Sequence, residues 1–465
     1  MKYHVIIFTI LTATYGWQLQ AAEPIEYQRF ANQMVEDHFV VGLIGSVLEN
    51  NEFHDFSVGL SDREQGVEVT DDTVFALGSA SKVFTATLLA REVVLGHLDL
   101  NQTVDSILTE LEGSAVGDIP LWELASHVSG LPRNPSGFAP DDPMDPYQHY
   151  DRPIFFQYLQ NAKIGEKKYL YSNVGYGILT QILEHVTGYS YRDMIERYIA
   201  QPLNTPDILG GWGQTTAGRS AKKYSAILKE KPVWSTLNAL AGSGDIKISL
   251  RALKKWMYYQ VNPDRAPYPL NESIKLTQMA QHHDPAGFNI GLAWFQDIFN
   301  NILYYNHNGS TEGFTIELLY DLNHKRALIY VSNTDTYYPG LCLTDMFTGE
   351  GCDPVWTSMP KSISAYLGWY EIGDGDHREP NSPMEIYESP FAPIFVVEVE
   401  DAPPYRLLYN YEDKVFYTEN DRFTIEFDSY TGGTIIESTR EGDFKYDFVR
   451  QYKIAKRSES RKIPY

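Results

Sequence analysis

The 465-residue sequence predicts an α+β protein: one antiparallel sheet flanked by helices, a helical subdomain in its middle, and a small all-β domain towards the C-terminal end. Three features carry this expectation. A helix-period segment followed by two strand-like runs opens the chain. A helical stretch broken by Gly/Pro loops fills about 130–269. Strand patterns return near 291 and change texture beyond Gly368.

Residues 25–39 carry Phe30, Met34 and Val35 at helical spacing, and 40–48 and 53–60 read as a hairpin across 49–52. Ser79 opens the next helix. Its apolar stripe runs through Val83, Phe84, Thr87, Leu88, Val93 and Val94, and Gly96 supplies a left-handed cap. Residues 174–186 form a helix closed by Gly188. Strands at 291–298, 302–306, 313–321 and 327–333 join the N-terminal hairpin most simply in one sheet, the last two linked by a turn at Leu322, Asn323 and His324. A short helical pattern covers 359–367. Alternating runs at 394–399, 405–411, 415–417, 423–427 and 433–438, separated by turn residues, read as a small barrel or sandwich. The boundaries that follow are a signal peptide at 1–21, a main domain at 22–370, a β domain at 371–452 and a solvated basic tail at 453–465.

Lys and Arg number 38 against 61 Asp and Glu, a net charge of −23. A field of that sign repels phosphate backbones and anionic lipid, so a nucleic-acid partner is not expected. Lys2, an apolar run over 5–12 and the small residues Ala21 and Ala22 match a secretory signal whose apolar stretch is too short to cross a bilayer, and no later run is long enough; the chain is expected to be secreted, without a membrane span. Cys342 and Cys352 are the two cysteines, and in an oxidising compartment they would close a small loop contributing roughly 3 kcal/mol; two buried free thiols are the other reading. Asn101 and Asn271 head glycosylation sequons. Asn308 heads a third, where a glycan would block the cleft proposed below.

Ser79-Ala80-Ser81-Lys82 puts a hydroxyl and an ammonium on one helical face, so the two groups meet. A serine needs a base beside it to attack at neutral pH, and a desolvated lysine serves. The same spacing recurs at Ser220/Lys223 and Ser358/Lys361, so the motif alone carries little. The apolar strand before Ser79 and the buried helix after it separate it from the others, the alternative being an ordinary serine cap with a solvated lysine. Tyr171-Ser172-Asn173 precedes a helix, where a tyrosine near a lysine passes protons and an asparagine amide holds a carbonyl. The segment 307–313, from His307 through Gly309 and Ser310, reads as a glycine-bearing break between two strands. It would allow close ligand approach and backbone N–H groups for an oxyanion, or form a plain hairpin turn. His282-His283-Asp284 reads as a solvated turn; no metal site or cofactor is expected.

Taken in order, the segments 75–82, 124–132, 171–176, 241–245 and 307–309 resemble the serine β-lactamase-related hydrolases, the group of class C β-lactamases, D-alanyl-D-alanine carboxypeptidases and esterases, with secreted animal relatives that include mollusc shell-matrix members. The resemblance spans roughly 25–370 and implies a β-lactamase/transpeptidase-like fold. It implies Ser79 as the acylated nucleophile, Lys82 as its proton acceptor and Tyr171 as a second base that protonates the leaving group. Asn173 would orient the substrate, and the N–H groups of Ser79 and Ser310 would form an oxyanion hole. His307 stands where penicillin-recognising members carry a lysine, which shifts the implied substrate towards a small ester or peptide. The competing expectation is an extracellular matrix protein on the same fold, weakly catalytic or not at all, with mineral or matrix as partner.

Overall fold

A computed structural model describes residues 22–136, 142, 144–213, 216–350 and 352, together with the strands of a C-terminal barrel between 368 and 451. The expected signal peptide, the helical pattern at 359–367 and the basic tail lie outside the described residues.

The main sheet has nine antiparallel strands. From one edge to the other they are Val67–Glu68, Glu52–Asp62, Gly42–Glu49, Arg326–Ser332, Thr315–Asp321, Ile302–Ser310, Phe295–Phe299, Asn289–Ile290 and His282–His283. Its two halves come from opposite ends of the main domain and meet where Leu43 pairs with Ser332 and Leu48 with Ala327. Two hairpins are closed by Asn pairs with positive φ: Asn50 and Asn51 (51° and 64°), and Asn300 and Asn301 (51° and 63°). Two left-handed residues in a two-residue loop match the twist of the flanking strands, and Asn tolerates them.

Both faces of the sheet are covered. Along Gly42–Glu49 successive side chains alternate sides, so Ile44 and Leu48 join the large core while Leu43 and Val47 join a second cluster. The second cluster is sealed by Tyr27, Ala31 and Met34 from the helix Pro24–Glu36 and by Leu343 and Phe347 from the helix Tyr338–Thr348. The large core holds the helix Lys82–Val94, which is buried almost all round rather than along one stripe, with Phe84 stacked on Trp256 at 4.2 Å between centroids. The helix Asn173–Thr187 packs beside it. The Ser172 hydroxyl accepts from the Gly175 N–H at its start, and Gly188 at φ 72° ends it.

The C-terminal strands close a barrel of eight: Gly368–Ile372, Ser382–Glu388, Phe395–Val399, Tyr405–Asn410, Val415–Thr418, Phe423–Ser429, Gly432–Thr439 and Gly442–Gln451, the first pairing with the last. Closure leaves no free sheet edge.

Candidate active site

The nucleophile turn sits where a short strand meets the core helix. Val74–Ala76 pairs with Lys247–Ser249, the chain turns through a 3₁₀ segment at Gly78–Ser81, and the α-helix begins at Lys82. The strand Ile302–Ser310 passes directly against this turn, and two glycines make that approach possible. A Cβ at Gly309 would lie 2.1 Å from the Leu77 carbonyl oxygen, and one at Gly78, whose φ is 51°, would lie 2.5 Å from the Ser310 carbonyl oxygen. Ser79 is half-buried at the contact.

Lys82 is fully buried. Its Nζ donates to Asn173 Oδ1 at 2.8 Å and to the Ser243 carbonyl at 2.7 Å. Burial, reinforced by the Arg133 charge, holds its pKa well below the ordinary lysine value. A neutral amine has two N–H groups and one lone pair, so these two bonds use both donors and leave the lone pair to accept a proton. Asn173 is fixed at both ends, because its Nδ2 donates to Asn134 Oδ1 at 2.8 Å.

Tyr171 covers Lys82, whose Nζ lies 4.8 Å from the ring centroid. The phenol oxygen is buried without a hydrogen bond of ordinary geometry, yet Ser79 is close enough to stabilise its ionised form. Burial dominates and raises the Tyr171 pKa, against the opposing pull of Ser79 and then Arg133. Beneath the ring lies His127, stacked at 4.3 Å between centroids, with its backbone left-handed at φ 61°. Its Nδ1 accepts the Ser172 N–H at 3.0 Å, which puts the proton on Nε2. Burial first, then the Lys82 charge, with Arg133 a smaller influence, holds this imidazole neutral.

His307 closes the other side. Burial and the Lys82 charge push its pKa down to about 3, so it is neutral. Its Nδ1 donates to the Asn308 carbonyl at 2.7 Å, leaving the lone pair on a buried Nε2 that has no partner. The Nε2 atoms of His127 and His307 and the Tyr171 hydroxyl are thus three buried polar atoms with unmet capacity around one ring. Buried polar atoms are normally paired, so these three are groups around the ring that can still bond to water or a substrate.

The structure brings Ser79, Lys82, Tyr171, Asn173, His307, Gly309 and Ser310 to one locality and corrects the sequence reading of the last three. His307, Gly309 and Ser310 are not in a break between strands; the strand continues to Ser310, which pairs with Thr315. Its ladder to the strand Phe295–Phe299 stops at Asn306, so from His307 on that edge of the strand turns to the nucleophile turn. The reading of His282 and His283 as a turn is also corrected: they form an edge strand paired with Asn289–Ile290. No cluster of potential metal ligands occurs among the described residues.

Sequence reasoning missed three groups. His127 lies within the segment 124–132, where its neighbours give it no role. Arg133 was not singled out. Lys223 was set aside as a chance match, but it is buried, donates to the Thr311 carbonyl at 2.8 Å, and has a pKa pushed down to about 8, chiefly by burial. It braces the residue that follows Ser310. Outside the site, Cys342 and Cys352 are disulfide-bonded. Asn101 is exposed, whereas Asn271 is half-buried within the helix Leu270–Gln278. No helix among the described residues is long and apolar enough to cross a membrane.

A serine at a helix start, beside a desolvated lysine and facing a tyrosine and a strand edge, is the centre of a serine hydrolase. The chain belongs to the Beta-lactamase family, whose model matches residues 28–350. It is 25% identical over 264 residues to a beta-lactamase of Pseudomonas fluorescens, covering 56% of this chain and 71% of that one. It is also 25% identical over 284 residues to the D-alanyl-D-alanine-carboxypeptidase/endopeptidase AmpH of Escherichia coli K12, covering 57% and 71%. Among solved structures, a class C beta-lactamase from Rhodobacter sphaeroides superposes with a TM-score of 0.63 at 21% identity, over 70% of this chain and 98% of that one. A beta-lactamase/D-alanine carboxypeptidase from Pseudomonas syringae gives 0.62 at 18% identity, over 71% and 100%. The fold is therefore that of the β-lactamase/transpeptidase group, with the barrel added.

Proposed function

We propose that this chain is a secreted hydrolase that cleaves an ester or a small amide through an acyl-enzyme on Ser79. Ser79 Oγ attacks the acyl carbon as its proton passes to the Lys82 amine, and the backbone N–H groups of Ser79 and Ser310 hold the oxyanion. The proton then moves to the leaving group by way of Tyr171. Water enters, gives its proton back along the same route, and releases the acid. The opposite pKa shifts support this division of labour: Lys82 is drawn towards the neutral amine that accepts a proton, and Tyr171 towards the phenol that delivers one. Asn173, locked between Lys82 and Asn134, keeps one Nδ2 hydrogen for a substrate carbonyl.

The observation that carries the reading is the fully buried Lys82, its donors spent on Asn173 and the Ser243 carbonyl, beside Ser79 and under Tyr171. A neutral His307 where penicillin-handling relatives would have a cation supports esters or short peptides over antibiotics. Export rests on the pattern from Lys2 to Ala22. The test is turnover of a chromogenic short-chain ester. Ser79→Ala should lose at least about a hundredfold in kcat/KM, and equal rates in the two proteins would end the proposal.

A further inference from the structure

Within this site the exposed, uncommitted positive charge lies on an unexpected wall. Lys82 is drawn towards its neutral form, His307 and His127 are neutral, and buried Lys223 is engaged with the Thr311 carbonyl. Arg133 differs from all of these. It is exposed, its guanidinium carbon lies 4.9 Å from the centroid of the Tyr171 ring, and it has no side-chain hydrogen bond or ion pair among the described residues. Glu312, which shares the surroundings of Tyr147 with Arg133, is taken up by Lys231 at 3.2 Å. A guanidinium lying against a ring keeps its N–H groups for a second partner, and those donors fit a carboxylate in bidentate fashion. In a chain of net charge −23, an anion is repelled at long range, so a local cation is needed to seat one.

The position is specific. The Arg133 carbonyl accepts the Asn173 N–H at 2.8 Å, and the neighbouring Asn134 holds the Asn173 amide. Arg133 thus belongs to the Asn173 wall and not to the strand wall that bears His307. In the mechanism above, Asn173 offers an Nδ2 hydrogen to a substrate carbonyl, and a carbonyl within the acyl part would seat that part along the Asn173 wall. We infer that Arg133 binds a carboxylate at the far end of the acyl group, so that the preferred substrates are half-esters or half-amides of dicarboxylic acids. The inference rests on the acyl-enzyme reading. It differs from recognition of an acid on the leaving group, for which the strand wall offers only Lys223, buried and bonded to the Thr311 carbonyl.

The test compares 4-nitrophenyl half-esters of succinate, glutarate, adipate and pimelate with the corresponding neutral methyl diesters, with Ser79→Ala supplying the spontaneous background. The wild type should favour at least one half-ester over its neutral diester by about tenfold in kcat/KM, mainly through KM and less so at high salt, tenfold being about 1.4 kcal/mol. Arg133→Gln should abolish that ratio and Arg133→Lys should keep part of it. If Arg133 serves only to tune Tyr171 and Lys82, its variants will change kcat for both esters alike and the ratio will stand, which overturns the inference. A wild type without the preference overturns it too, while the acyl-enzyme reading survives. Turnover of neither ester class defeats both.

Discussion

Gly309→Ala tests the contact between strand and nucleophile turn. The new methyl would sit 2.1 Å from the Leu77 carbonyl oxygen and 3.0 Å from the Ala80 nitrogen, both backbone atoms that cannot swing aside. Reaching an ordinary carbon–oxygen contact requires a separation of about 1 Å more. Overpacking of this kind costs about 1–3 kcal/mol, which a domain with a core this large absorbs while remaining folded. The catalytic cost is greater. The same displacement moves Ser310 away from Ser79, and a misplacement of about 1 Å between reacting groups costs on the order of a hundredfold in rate. The assay is ester turnover alongside a urea unfolding curve. Gly96→Ala serves as the control for a glycine change away from the site, because its left-handed φ of 75° strains an alanine while a Cβ there meets nothing within 4 Å. It should lose stability without losing rate. A folded Gly309→Ala with activity within threefold of the wild type would refute the claim that the strand edge and the turn act as one unit.

The pH dependence follows from the directions of the shifts. The active form has Lys82 neutral, so kcat/KM should climb with pH through a pKa well below the ordinary lysine value, and fall again only where Tyr171 ionises, above its ordinary 10. His307, at about 3, should add no limb between pH 5 and 9, so a limb there that vanishes in His307→Gln would contradict the assignment. His127→Ala removes the acceptor of the Ser172 N–H and the support beneath Tyr171. A loss of about 1–3 kcal/mol in urea unfolding is expected together with a drop in kcat of tenfold or more, and His127→Asn, which tolerates the left-handed backbone, should recover part of the stability. Replacing Cys342 and Cys352 with serine should lower stability by about 3 kcal/mol in urea and leave kcat/KM within twofold of the wild type, since the helix Tyr338–Thr348 packs in the cluster on the opposite face of the sheet from the core helix.

The sheet and the core helices were legible because their apolar runs are long and bounded by turn residues and glycines. Two strand-like runs across 49–52 marked the N-terminal hairpin, and Gly96 and Gly188 marked helix ends. Ser79 could be told from two chance copies of its motif only by the apolar strand and helix around it. Other features were hidden for physical reasons. Gly309 reads as a turn because its purpose, clearance for the Leu77 carbonyl, is a contact with a segment more than two hundred residues away in sequence. Lys223 looks like a solvated lysine in a polar stretch, and nothing local shows that it reaches the Thr311 carbonyl. His127 and Arg133 matter through Tyr171, which their own neighbours do not reveal. In the barrel, the strands Gly368–Ile372, Ser382–Glu388 and Gly442–Gln451 went unrecognised. Gly442–Gln451 mixes Lys445, Asp447 and Arg450 among aromatics in its sequence, and its pairing with Gly368–Ile372 comes from closure rather than from local pattern.

The central claim is that an acyl group passes through Ser79. Mixing the enzyme with a slowly released activated ester, quenching early and mapping peptides by mass spectrometry tests it most directly. One acyl mass on the peptide containing Ser79, absent from Ser79→Ala and longer-lived in Tyr171→Phe, is the predicted result. Product formation with no label on that serine, or a label on another residue, would contradict it.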